Sequence, residues 1–124
     1  MNRAALGLIL LSVTITAFAQ LMLKAGMSGA AVQRAIAAGP GMRMFLAIAL
    51  DPLVAGGLAI YFFAAGLWLF VLSKVEVSLA YPFLALGFVL VAVFGRLVFH
   101  ETLSPARIAG TLLICGGVAL IARS

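Results

Sequence analysis

The chain is poor in the side chains from which active sites and metal sites are usually built. Its 124 residues include three acids, one histidine and one cysteine. The single Cys115 excludes a disulfide within the chain and a cysteine-based metal site, and His100 has no second histidine or cysteine with which to share an ion. We therefore expect no enzymatic activity, no metal and no cofactor.

Charge is also scarce. Only 9% of the residues are charged and 66% are hydrophobic, whereas soluble domains carry about 25% charged residues. A soluble fold of this length could not bury so much apolar surface. The net charge of +5 comes from bases near the ends of apolar runs, which favours membrane anchors and topology signals over nucleic-acid binding.

Four apolar runs have the length of about 20 residues that a helix needs to cross a bilayer. They cover residues 4–24, 52–73, 77–99 and 105–122. Asp51-Pro52 and Ser104-Pro105 each place a capping side chain before a proline, which is typical of a helix start. We predict an all-α integral membrane protein with four transmembrane helices, in a single domain over 1–124 that leaves no room for a soluble domain.

The connection between the first two runs is the only long one. Residues 42–50 in it are apolar but too few to span a bilayer, which predicts a short interfacial helix. A re-entrant segment is the alternative. The eight bases divide three against five between the two sides of the membrane, so the orientation stays open under the positive-inside rule.

The start of the chain has a second interpretation. Met1-Asn2-Arg3, an apolar stretch and Ala17-Phe18-Ala19 are also typical of a secretory signal with a cleavage site before Gln20. The apolar run continues past that point through residues 21–23, which favours a spanning helix.

Four polar residues follow one another at four-residue steps in the first run: Ser12, Thr16, Gln20 and Lys24. This spacing places them along one side of a helix. Polar groups at membrane depth are costly unless they face protein, water or a substrate. Hydroxyl bonds to carbonyls one turn earlier could account for Ser12 and Thr16, but not for Gln20, so we predict that this polar seam binds a substrate.

The third run opens with "SLAYPFLALGF", residues 78–88. The ring of Pro82 removes the hydrogen bond that the carbonyl of Ser78 would accept in a helix. Tyr81 brings a phenol to the same depth. We predict that this stretch forms the rim of a substrate groove, and a boundary proline with an interfacial tyrosine is the alternative.

The last run, "GTLLICGGVALI" at 110–121, is similar to the last helix of the small multidrug resistance family. The resemblance implies a small transporter of the drug/metabolite transporter superfamily that works as a dimer, with Gly110 and Gly117 at the subunit contact. Packing of these glycines within one subunit is the alternative. The membrane-embedded glutamate that binds protons and cationic drugs in that family falls at Thr16, so the chain lacks the main residue of cation export.

The segment "DPLVAGGLAIYFFAAGLWLFVLSKVEVSLAYPFLALGFVLVAVFGRLVFHETLSP" is similar to single-unit EamA-type members of the same superfamily. It resembles the family of paired flippase subunits for aminoarabinose-phosphoundecaprenol. The resemblance implies a multi-pass protein of the bacterial inner membrane that flips an undecaprenyl-phosphate-linked sugar for lipid A or envelope glycan modification, as a homodimer or with a homologous subunit.

Such a substrate calls for a polar groove for the sugar and a cation for the phosphate. We assign the sugar to Thr16, Gln20, Ser78 and Tyr81, and the phosphate to Lys24, Arg96 and Arg43. Headgroup anchoring is the alternative for each base. Two other functions remain open: export of small cationic or amphipathic molecules, and a non-transporting subunit that stabilises a membrane partner.

Overall fold

The computed structural model describes residues 3–124, which form six helices joined by short loops. The helices are α1 Arg3–Met27, α2 Ala30–Ala37, α3 Met42–Ala49, α4 Pro52–Leu72, α5 Val77–Val98 and α6 Pro105–Arg123. Four of them, α1, α4, α5 and α6, are long and apolar enough to cross a membrane. The predicted all-α membrane fold is therefore confirmed. Met1 and Asn2, which begin the signal-like pattern, lie outside the described residues.

Two of the long helices begin where the sequence predicts, because their caps are satisfied locally. The Asp51 carboxylate accepts hydrogen bonds from the backbone N–H groups of Leu53 and Val54, at 3.0 and 3.1 Å. The Ser104 hydroxyl accepts one from the backbone N–H of Arg107 at 3.2 Å. Each cap is followed by a proline at the first helical position. A backbone N–H there would have no acceptor within the helix, so proline, which lacks it, costs no hydrogen bond.

The long connection contains two short helices instead of one. Helix α3 coincides with the predicted interfacial helix, and none of its residues is buried. Helix α2 was not predicted from the sequence. It forms because Gly29 starts it and because Val32 and Ala35 become buried.

Helix α1 is the central element of the bundle. Helices α4 and α5 each pack along α1, whereas α4 and α5 make few contacts with each other, and α6 packs chiefly on α5. The core that joins the four long helices consists of Ile9, Val13, Val71, Ala80, Phe83 and Val118. This arrangement leaves a gap over α1, between α4 and α5.

Glycines allow α1 and α4 to approach closely. A Cβ on Gly57 would lie 3.0 Å from the Leu23 side chain and 3.2 Å from the carbonyl oxygen of Ala19, and a Cβ on Gly26 would lie 2.6 Å from the Val54 side chain. Small residues at such contacts are typical of membrane helices. The end of α1 therefore meets the start of α4. Helix α5 ends and α6 begins at the same end of the bundle. We call it the Lys24 end.

Candidate functional site: an uncharged groove

The gap over α1 is occupied by two adjoining cavities of about 200 and 330 Å³, which we call together the groove. Both cavities are lined by Thr16, Tyr61 and Leu84. The groove runs along α1 from Ser12 to Gln20, a length of about 12 Å at the helical rise. None of the residues that line it, drawn from α1, α4 and α5, is charged. The groove is uncharged, and a few polar side chains interrupt its mainly apolar lining.

Two hydroxyl groups form the floor of the groove. The Thr16 hydroxyl donates to the carbonyl oxygen of Ser12 at 2.8 Å. The Ser12 hydroxyl, which is 1% exposed, donates across to the carbonyl oxygen of Ala64 on α4 at 3.3 Å. Both hydroxyl protons are thus engaged, while each oxygen keeps lone pairs. The Thr16 oxygen therefore offers the groove a hydrogen-bond acceptor.

Gln20 lies at the end of the groove nearest to Lys24. Its side chain is exposed, and within residues 3–124 its amide has no hydrogen-bond partner. An amide carries both donors and an acceptor. Gln20 can therefore bind a ligand that has hydroxyl groups, as the polar seam predicts.

Aromatic side chains form the walls of the groove. Trp68 on α4 and Tyr81 on α5 meet in a T-shaped pair with ring centroids 5.8 Å apart. Tyr61 lies two turns from Trp68 on the same side of α4 and lines both cavities. Tyr61 and Trp68 were not predicted from the sequence. A signal in the sequence could have identified this wall. It consists of two polar-tipped aromatic residues seven positions apart, with the small residues Ala64 and Ala65 between them.

The structure brings together three of the predicted substrate-binding residues, Thr16, Gln20 and Tyr81, at the groove. The other three do not line it. Lys24 is exposed one turn beyond Gln20, Ser78 is exposed in the first turn of α5, and Arg96 is exposed near the end of α5. Their contacts with a substrate stay predictions.

The remaining predicted positions lie on α3, α5 and α6. Pro82 is half-buried within the early turns of α5, next to Tyr81, and Arg43 is exposed on α3. A Cβ on Gly110 or on Gly117 would meet no atom within 4 Å. Neither glycine therefore serves close packing within the part of the chain that the structure describes, and their role in a dimer stays a prediction.

No family model and no solved structure matches the chain. Curated proteins do. A Pseudomonas aeruginosa protein named "Probable 4-amino-4-deoxy-L-arabinose-phosphoundecaprenol flippase subunit ArnE" is 54% identical over 57 residues, which are 46% of this chain and 50% of that protein. A protein of the same name from Pseudomonas fluorescens is 39% identical over 79 residues, 60% of this chain and 69% of that protein.

A protein named as subunit ArnF of the same flippase, from Sodalis glossinidius, is 39% identical over 71 residues, 56% of this chain and 55% of that protein. In the first of these comparisons the chain spans about half the length of its relative.

Proposed function

We propose that this chain, which belongs to the family of the ArnE flippase subunits, takes part in moving an undecaprenyl-phosphate-linked sugar across the membrane. The chain is a multi-pass protein of the bacterial inner membrane, with four helices able to cross it. One observation carries the proposal: the uncharged groove between α4 and α5, in which a few polar side chains interrupt an apolar lining.

Transfer of the polar head of a lipid-linked sugar through hydrocarbon costs free energy, whereas its apolar tail is soluble there. The groove supplies partners for sugar hydroxyls at membrane depth, namely the Thr16 oxygen, the Gln20 amide and the Tyr61 phenol. Because α4 and α5 make few contacts with each other, the groove opens sideways. The head can pass along it while the tail stays in the bilayer.

The neutrality of the groove favours a sugar over a cationic drug. A cation in a membrane interior is commonly paired with an acid, and no acid lines the groove in the described part of the chain. A phosphate would be equally costly at its centre. We assign the phosphate to the Lys24 end, where Lys24 lies one turn beyond Gln20 and Arg96 lies near the end of α5.

We assign a second four-helix subunit to the exposed face of α6. The relatives are named as subunits of one flippase, ArnE and ArnF. The free space beside Gly110 and Gly117 would allow another backbone to approach α6 closely. Copurification from the native host distinguishes a second copy of this chain from a homologous subunit.

Two threonines on α1 give a matched test of the groove. The Thr14 hydroxyl donates to the carbonyl oxygen of Leu10 at 2.7 Å, just as Thr16 donates to Ser12. Thr14, however, lines an apolar cavity on another side of α1. Replacing either by valine removes one hydroxyl bond to the helix backbone, but only Thr16→Val changes the groove.

The assay uses liposomes that contain the purified protein and a fluorescent short-chain polyprenyl-phosphate sugar. We expect Thr16→Val and Gln20→Ala to slow flipping about tenfold, the effect of one or two lost hydrogen bonds, and Thr14→Val to leave the rate unchanged. Equal effects of the two threonine variants on the flipping rate would contradict the proposal that the groove binds the substrate. Uptake of a quaternary ammonium dye with no movement of the lipid would favour the exporter instead.

A further inference from the structure

A cavity of about 420 Å³, which we call the α1–α5 cavity, lies on another side of α1 from the groove. Helix α1 lines it with a stripe of side chains from Thr14 to Ala25. The facing wall comes from the second half of α5 and from Phe99 just after it, and Leu53 at the start of α4 also lines the cavity. The proposed function makes no use of this space.

The lining of the α1–α5 cavity is apolar. Among the described lining residues only Thr14 is polar, and its hydroxyl already donates to the carbonyl oxygen of Leu10 at 2.7 Å. Phe18, Phe94 and Phe99 contribute aromatic rings. Such a surface gains dispersion contacts from hydrocarbon and offers no free hydrogen-bond donor. The cavity therefore suits an apolar chain rather than a polar headgroup.

The cavity has the length of one leaflet. From Ala25 to Thr14 it extends about 16 Å along α1 at the helical rise, and Thr14 lies near the middle of this helix, which covers Arg3–Met27. The hydrocarbon core of a bilayer is about 30 Å thick. The cavity thus extends from the Lys24 end to the middle of the membrane, which is the depth that one lipid tail reaches in its own leaflet.

The cavity is open toward the bilayer. Its lining residues Phe18, Phe94 and Val98 remain exposed, and α6 packs on another face of α5, where Val91 and Ala92 line a separate cavity. An empty hollow at this depth would deprive its lining atoms of dispersion contacts. A lipid tail can fill it from the side without leaving the hydrocarbon.

A free base lies at the opening of the cavity. Lys24 directly precedes the lining residue Ala25, and it follows the lining residue Leu21 by three positions, on the same side of α1. Its side chain is exposed, and within residues 3–124 it has no ion-pair partner. Gln20 in the groove precedes it by four positions. Lys24 therefore lies between the cavity and the groove, within reach of a ligand in either.

The surroundings of Lys24 are positively charged. Only two of the three acids of the chain are at the Lys24 end, and neither is free at the cavity. The Asp51 carboxylate caps α4 through the N–H groups of Leu53 and Val54, and Glu101 lines the separate cavity between α5 and α6. The opening therefore complements an anionic headgroup. Five of the eight bases are at this end: Lys24, Arg34, Arg43, Arg96 and Arg107.

We propose that the α1–α5 cavity binds one acyl chain of an anionic phospholipid from the leaflet at the Lys24 end, with the lipid phosphate at Lys24. Lysine binds a phosphate as a point charge, and each base near an anionic lipid surface favours binding. A zwitterionic lipid carries its own ammonium, which the surrounding bases repel. The inference goes beyond the proposed function, because this lipid is a bound component of the protein whatever the groove transports.

The test varies the headgroup and the tails separately. The full chain, in neutral maltoside micelles, is titrated with phosphatidylglycerol and phosphatidylcholine, each with dioctanoyl and with dipalmitoyl tails, and bound lipid is measured by native mass spectrometry. We expect dipalmitoyl phosphatidylglycerol to bind about fivefold more tightly than the matching phosphatidylcholine, the effect of one base at an anionic surface. It should bind several-fold more tightly than dioctanoyl phosphatidylglycerol, because only the longer tail reaches Thr14.

Thr14 offers a matched pair of variants for the tail. Thr14→Phe fills the inner end of the cavity, so it should abolish the advantage of the longer tail while dioctanoyl phosphatidylglycerol binds as before. Thr14→Val loses the same hydroxyl bond to Leu10 but keeps the space, and it should bind both lipids as the wild type does. If Thr14→Phe does not fold, Ala25→Leu narrows the opening instead and should weaken the binding of both tail lengths several-fold.

Two lysines offer a matched pair for the headgroup. Lys24→Gln should remove the fivefold preference for phosphatidylglycerol. Lys74→Gln removes an exposed lysine at the opposite end of the bundle, where its Nζ lies 5.7 Å from the centre of the Phe70 ring. This variant should keep the preference.

Three results would overturn the inference, and none of them affects the flippase proposal. A folded Thr14→Phe variant that keeps the advantage of the longer tail would place the tail elsewhere. Equal binding of phosphatidylglycerol and phosphatidylcholine by the wild-type chain would leave a cavity for tails without a preference for anions. Loss of lipid binding in a complex purified with a second subunit, but not in the chain alone, would mean that the subunit covers the cavity.

Discussion

The indole ring of Trp68 meets the phenol ring of Tyr81 edge to face, with centroids 5.8 Å apart and ring planes at 83°. This pair joins α4 to α5 across one end of the groove, although the two helices otherwise make few contacts. The contact holds the Tyr81 hydroxyl at the groove lining. The ring contact of Tyr81 and its proposed role as a hydroxyl ligand can be separated by substitution.

Tyr81→Phe keeps the ring and removes the hydroxyl. We expect unchanged thermal stability in detergent and slower flipping in liposomes. Tyr81→Leu removes the ring as well, and it should also lower stability, by about 1 kcal/mol for the lost aromatic pair. A Tyr81→Phe variant that flips at the wild-type rate would restrict Tyr81 to a structural role.

Gly26 lies where α1 meets the cap of α4. A Cβ there would be 2.8 Å from the Asp51 carboxylate and 2.8 Å from the backbone nitrogen of Val54. We expect Gly26→Ala to destabilise the protein by about 1–3 kcal/mol, as overpacking does, measured by thermal unfolding. Gly7→Ala is the control, because a Cβ at Gly7 meets nothing within 4 Å. Equal stability of the two variants would contradict the close approach.

Pro82 interrupts the hydrogen bonds of α5 beside the groove. Pro82→Ala supplies an N–H for the carbonyl of Ser78 and removes a residue that is unfavourable inside a helix. We therefore expect flipping to fall more than stability does, and folding to be retained. Pro52→Ala, at the first position of α4, should change neither. Parallel losses of transport and folding in Pro82→Ala would make Pro82 a boundary residue only.

Gly117 tests the proposed subunit contact. Leucine at this exposed position meets no atom of the described chain near its Cβ, so we expect Gly117→Leu to fold normally. Association with a second subunit should weaken about tenfold, in the range of a membrane helix contact, measured by light scattering in detergent. Gly66→Leu on α4, also in open space, should associate as the wild type does.

The sequence predicts the long helices well because their signals are local. The apolar runs have bilayer length, and Asp51-Pro52 and Ser104-Pro105 form the caps that the pattern indicates. Helix α2 could not be predicted in the same way, because it depends on burial of Val32 and Ala35. Burial is a property of the assembled bundle, and no short segment shows it.

The site could be predicted best along α1, and on α5 only Tyr81 was predicted correctly as a lining residue. Helical periodicity places Thr16 and Gln20 on one side of that helix, and both line the groove. Which residues of α4 and α5 face them depends on how the helices rotate against α1. Tyr61 and Trp68 were therefore missed, and Ser78 was expected in a site that it does not line.

The weak contact between α4 and α5 also bears on motion. The Trp68–Tyr81 pair is worth about 0.5–1.5 kcal/mol, and the core residues Val71, Ala80 and Phe83 also hold the two helices together. If loss of the ring pair were the whole cost of widening the groove beside it, the wide state would be populated at roughly 7–30% by thermal fluctuation alone. The core would then keep the helices joined while the groove varies in width, and a substrate would select the wide state.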